Sequence, residues 1–218
     1  MLKALLWKEL RELMPLIVAA ILLDSVIIGS AFFDQHRLDA VYVESIWPAM
    51  FITSLLYSLV AGLFQNLREE HQGTLLFLMH RPVGREALIA TRLVYGAGIC
   101  AVVCVLPVLW IALWADARND DRPHWVSLWA LSYCGQFLLI YFGAFLSSLR
   151  PAKALGSRYL PLVASILLFL VFFVLGMGPR EEYLARTISL SLAWILGPLV
   201  QVALIVAIFH VARTRDYS

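Results

Sequence analysis

The chain has 218 residues, of which 61% are hydrophobic and 15% charged, against roughly 25% charged in ordinary soluble domains. A water-soluble fold of this size cannot hide so much apolar side chain, so the composition excludes a soluble class and points to an all-α integral membrane protein. The formal net charge of +2 adds nothing about partners.

Residues Leu2 to Leu13, "LKALLWKELREL", open the chain. Leu2, Leu5, Leu6, Leu10 and Leu13 fall at helical spacing on one face, with Lys3, Lys8, Arg11 and Glu12 on the rest. That pattern predicts an amphipathic helix over residues 1–13 lying in the membrane interface. Pro15 is expected to break it from the first span. The plainer alternative is a simple extension of that span. Acids in the charged preface and the lack of a small-residue cleavage site argue for a retained span rather than a signal peptide.

Six continuous apolar runs follow, each near the about 20 residues that a helix needs to cross the hydrocarbon core. They cover residues 14–33, 47–66, 88–114, 125–149, 160–177 and 189–211. Unbroken runs favour helices over the alternating strands of a barrel. The first run carries Asp24 near its centre. A carboxyl group there is expensive unless protonated, paired or hydrated. It reads either as a pathway or gate residue or as one held by an internal hydrogen bond, to Gln136, Gln201 or a backbone group. Ser25 with Gly29, and Gly143 with Ser147, form small faces that permit close helix approach, with Ala144 and Ser148 alongside. Pro107, Pro161 and Pro198 stand inside spans, where proline can kink a helix. Cys100, Cys104 and Cys134 also fall inside spans and read as small buried residues. Tyr42, Trp47, Trp110, Trp114, Trp125 and Trp129 lie near predicted outer ends, as an aromatic belt would. The outer connections are short, and "GPREEYLARTI", residues 178–188, predicts a short interfacial helix opened by Pro179.

The charges orient the chain. With the N-terminus inside, twelve of the 17 Lys and Arg fall in inner segments, and all the lysines are among them. The positive-inside rule then places both termini in the cytoplasm of a multi-pass protein of the cell membrane.

The inner connection between the second and third spans, residues 68–86, is too structured for a plain loop. Arg68, Glu69, Glu70 and His71 are too polar for lipid. Thr74 after Gly73 is an N-cap. Leu75, Leu76, Phe77, Met79 and His80 make about one and a half turns, at the usual 3.6 residues per turn. Arg81-Pro82 ends them, and Arg85 and Glu86 restart a helix into the third span. A helix this short is not stable alone. Its apolar face either docks on a partner or rests on the membrane surface and the protein's own spans.

The amphipathic N-terminal helix, six spans, and an inner loop with acidic residues before Gly73-Thr74-Leu75, then Pro82 and Arg85-Glu86, resemble the permease subunits of type-2 ATP-binding-cassette exporters. The resemblance implies that Glu69, Glu70, Gly73, Thr74, Leu75, Leu76, Phe77, Met79, His80, Arg81, Pro82, Arg85 and Glu86 form a coupling segment gripped by an ATPase. It implies two ATP-binding-cassette ATPase subunits and a second permease copy or homologous permease as partners, with membrane lipid around them. No nucleic acid is expected. The sequence has no Gly-Lys dipeptide and therefore no GxxxxGK[ST] phosphate loop. No cofactor is expected on this chain, with ATP and Mg on the partner ATPase. An aromatic-rich apolar interior suits an amphiphilic, lipid or drug-like cargo.

Two other classes compete. A membrane protease needs ligands or a nucleophile in facing spans, and the sequence has neither HExxH nor GxSxG. A non-transporting membrane scaffold shares the composition but leaves the capped loop helix unexplained.

Overall fold

A computed structural model of the protein describes residues 2–33, 40–71, 85–118, 125–149, 155–176 and 183–214. All of them are helical. We number the helices α1 (Leu2–Phe33), α2 (Ala40–His71), α3 (Arg85–Arg118), α4 (Trp125–Leu149), α5 (Leu155–Gly176) and α6 (Tyr183–Thr214). Four contain stretches long and apolar enough to cross a membrane: Trp7–Ser30, Ala49–Leu67, Glu86–Trp110 and Trp194–Thr214. Shorter apolar stretches, Gly135–Leu149 and Ser157–Phe172, lie in α4 and α5.

Two expected breaks are absent. α1 runs through Pro15 without interruption, so the N-terminal segment is continuous with the first apolar run. Proline removes one backbone donor and crowds the preceding turn, but flanking turns rich in leucine and alanine favour helix strongly enough to carry it. Glu9 and Leu13, each 1% exposed, pack the end of this segment against other helices. Likewise, Tyr183 to Ile188 form the first turns of α6 and not a short interfacial helix of their own. Of the expected outer connections 34–46, 116–124 and 178–188, residues 40–46, 116–118 and 183–188 are helical, and the rest lie outside the described residues.

α4 occupies the centre. It packs on α2, α3, α5 and α6, while α1 closes the bundle against α2 and α3. Every residue of α4 from Leu139 to Leu149 is buried. Small residues make that possible. A Cβ on Gly62 of α2 would stand 2.6 Å from the Tyr141 carbonyl oxygen and 2.7 Å from the Ala144 methyl of α4. The Gly143 position is closed in the same way by Ser165 and the Pro161 carbonyl of α5. The sequence's small face around Gly143 and Ser147 is therefore two faces, one against α2 and one against α5. Phe51, Phe137 and Phe169 continue the joint between α2, α4 and α5, with ring centroids 5.9 and 5.8 Å apart.

The perimeter is apolar. Val18, Leu22 and Val26 of α1, Leu160, Val163 and Leu167 of α5, and Leu199, Val202 and Val206 of α6 are all exposed. Apolar area on this scale is compatible with a multi-pass membrane protein. Glu9, Asp24, Gln65, Asn66, Arg92 and Gln136, by contrast, are buried inside.

Candidate functional site

A seam of polar side chains runs along the inner face of α2, and helical spacing explains it. Ser54, Ser58, Gln65 and Asn66 recur on one stripe of α2 and are all buried. At one level, Thr53 places its hydroxyl 2.9 Å from Asp24 Oδ1 and 2.9 Å from the Met50 carbonyl oxygen, with one proton to share between them. Next, Ser58 Oγ donates to the Ser54 carbonyl oxygen and lies 3.2 Å from Cys100 Sγ and 3.6 Å from Cys104 Sγ. Both cysteines are free thiols, buried as the sequence suggests, and hydrogen-bonded as it does not show. Further along, Tyr141 donates to Gln65 Oε1 at 2.7 Å, and Asn66 Nδ2 donates to Ser148 Oγ at 2.8 Å. Gly96 of α3 leaves the space in which the Tyr141 hydroxyl and the Gln65 amide meet.

The seam ends in charge. Arg92 of α3 and Glu9 of α1 form an ion pair, Nε to Oε1, at 3.0 Å, with both side chains 1% exposed. The contact is one of charge and distance rather than an aligned N–H···O bond. A second pair stands outside the bundle. Arg213 near the end of α6 donates from Nε to Glu86 Oε1 at 2.7 Å and from the terminal nitrogen to Oε2 at 3.2 Å. Arg158 of α5 closes the end of α4 by donating to the Ser147 and Ser148 carbonyl oxygens, each at 3.3 Å. These contacts gather where α2 ends, α3 begins, α4 ends, α5 begins and α6 ends. That is one end of an up-and-down bundle.

The sequence-predicted residues fare unequally. Asp24 is buried between α1 and α2, and its hydrogen-bond partner is Thr53. The expected partners are engaged elsewhere: Gln201 donates to the Gly135 carbonyl oxygen at 2.6 Å, and the Gln136 amide lies against Gly197. Glu69 and Glu70 stand in the last turn of α2, and Arg85 opens α3. Glu86 is exposed and paired with Arg213. Gly73, Thr74, Leu75, Leu76, Phe77, Met79, His80, Arg81 and Pro82 lie outside the described residues. Trp110 is exposed, and the side chains of the other belt aromatics lie outside the description.

Glu9, Arg92, Gln65, Tyr141 and Asn66 are the residues that sequence reasoning missed. A signal for two of them was present. Glu9, Leu13, Ala20 and Asp24 share the buried face of α1, and Arg92 falls in register with Leu88, Ile89, Gly96 and Cys100 on the buried face of α3. A charge in phase with an apolar stripe is a charge turned inward. Within the seam, Tyr57 Oη, Gln65 Nε2 and Asn66 Oδ1 are buried without a hydrogen-bond partner among the described residues. Each such group costs about 1–3 kcal/mol. Among the described residues, no three His, Cys, Asp or Glu come together as metal ligands would. What the seam supplies is fixed charge and hydrogen bonding between helices.

Compared with family models, with curated proteins and with solved structures, the chain has no match.

Proposed function

We propose that this chain is the permease subunit of a type-2 ATP-binding-cassette exporter. On this reading all six helices span the cell membrane, with both termini in the cytoplasm. Two copies, or one copy and a homologous permease, enclose the path. Two ATPase subunits carry ATP and Mg and grip residues 68–86. The cargo is an amphiphile, a lipid or a drug-like molecule. α4 and α5 are 25 and 22 residues long, within the range of about 17–25 residues for a transmembrane helix.

One observation carries the reading. α2 and α3, which flank the loop, are each fastened to other helices close to it: α2 to α4 through Gln65–Tyr141 and Asn66–Ser148, α3 to α1 through Arg92–Glu9, and α3 to α6 through Glu86–Arg213. A push on the loop is thereby spread through the bundle instead of bending two loose ends. The sequence of the loop, with its capped apolar turn, gives that push a place to act.

Gentle-detergent purification of the tagged chain from its native cell tests this directly. An ATP-binding-cassette ATPase should co-purify in stoichiometric amount, and Leu76→Asp or Phe77→Asp should release it while leaving the chain in the membrane. Native chain that never brings down an ATPase ends the proposal. Normal docking in both variants removes the loop as the contact.

A further inference from the structure

Glu9 and Arg92 are among the largest fully buried side chains of the protein. Arg92 stands seven residues into α3, about 10 Å along the axis at about 1.5 Å per residue. Gly84, the residue immediately before that helix, lies outside the described residues. Glu9 lies within the amphipathic segment that precedes the first apolar run.

A buried ion pair constrains motion in a way a surface pair does not. Separating two exposed charges returns each to water. Separating two buried ones leaves each uncompensated in a low dielectric. While both charges are present, sliding α1 past α3 at this level separates the pair without returning it to water. Their surroundings reinforce the fit: Leu13 and Leu88, Ile89 and Leu93 are buried on the same faces as the two charges. The neighbouring hydrogen bond between Tyr141 and Gln65 sits against Gly96, one turn further along α3. Arg11 on the same segment is exposed, whereas Glu9 is fully buried.

We propose that Glu9 and Arg92 form a buried electrostatic joint that makes the first turns of α1 and of α3 move as one body, so that displacement of the loop before α3 is delivered to the N-terminal helix. The joint stands on the geometry of the pair. Its part in transmission rests on the permease reading above. Both residues are positioning residues, acting through the helices they hold.

Spin labels on two exposed sites, Trp7→Cys and Val94→Cys (70% and 72% exposed), report the joint in the full-length chain in lipid nanodiscs. Cys134→Ser removes one background thiol, and burial shields Cys100 and Cys104. Electron paramagnetic resonance should give one narrow distance distribution with the native pair. Replacing both charges, Glu9→Met with Arg92→Met, removes the penalty of a lone buried charge, so this variant folds. It should nevertheless broaden the distribution. The reversed pair, Glu9→Arg with Arg92→Glu, should narrow it again. A narrow distribution in the double-Met variant overturns the joint, because packing alone would then hold the helices. A reversed pair that stays broad overturns it too.

The second readout is ATP turnover by the co-purified complex. Double-Met chain should still bind the ATPase but lower its turnover roughly tenfold, the size of an ordinary coupling between sites. Unchanged turnover with the ATPase bound overturns transmission and leaves the joint to the spin labels. If no ATPase accompanies the native chain, the permease reading and the transmission fall together, while the label distances still decide the joint.

Discussion

Two ion pairs fasten the start of α3, and they differ in almost everything but chemistry. Arg92–Glu9 is buried to 1% on both sides, whereas Arg213–Glu86 has side chains 65% and 53% exposed. The outer pair has the better geometry, with two hydrogen bonds from one guanidinium. The inner one has the worse geometry and the greater consequence. Water explains the inversion. At the surface the charges are solvated whether or not they meet, so the pair adds little. Inside, parting the two charges does not return either of them to water. Burial, not bond quality, therefore decides which contact fixes the helix.

The largest expected effect tests that contrast at its root. Arg92→Ala should destabilise the chain by about 3–5 kcal/mol, the penalty for breaking one side of a buried pair, measured by reversible unfolding in mixed micelles. A loss no larger than that of Arg213→Ala would mean that burial does not separate the two pairs. Next comes Gly62→Ala. Its new methyl would meet the Tyr141 carbonyl and Ala144 below ordinary contact distance, forcing α2 and α4 apart at a cost of about 1–3 kcal/mol. Insensitivity there would show that the bundle's centre is looser than its small residues imply. Thr53→Val should follow, at roughly 1 kcal/mol for the lost bond to Asp24, while Asp24→Asn keeps an acceptor for the hydroxyl and should unfold at nearly the native denaturant concentration. Equal destabilisation by the two would mean that the charge on Asp24, rather than its hydrogen bond, holds the site.

The smallest effect belongs to the outer pair. Glu86→Gln should leave the unfolding midpoint unchanged within error. Raising salt should likewise leave native chain and Glu86→Gln indistinguishable, since exposed pairs are screened beyond a Debye length of about 3 Å at 1 M. A clear loss in Glu86→Gln at low salt would sharpen the comparison by giving the surface pair a share in holding α6.

The sequence carried the helices better than their joints. Unbroken apolar runs such as Trp125 to Leu149 are local signals, and α4 has those very bounds. Pro15 and the run from Tyr183 misled because a local rule about proline or polarity was set against the neighbours that a long helix acquires only in the bundle. Asp24 was legible as a problem but not as a solved one, since Thr53 is just one of several hydroxyls that a facing helix offers. The Glu9–Arg92 pair was further from reach. Each half looks like an ordinary flanking charge until its phase on the helix is read, and the pairing depends on which helices become neighbours. The loop residues Gly73 to Pro82 are the reverse case, a readable pattern that lies outside the described structure.

The enclosure of α4 has a consequence for descent. Exposed apolar positions on the perimeter, such as Leu199, Val202 and Val206 of α6, can exchange one apolar residue for another with little penalty, and will drift. Residues Tyr141 to Ser148, "YFGAFLSS", answer to several neighbouring helices at once. Tyr141 must reach Gln65, Gly143 must admit Ser165, Ala144 must clear Gly62, and Ser148 must meet Asn66. A distant relative that has lost all other likeness should still keep this octet, together with its partners on α2, as the recognisable mark of the lineage.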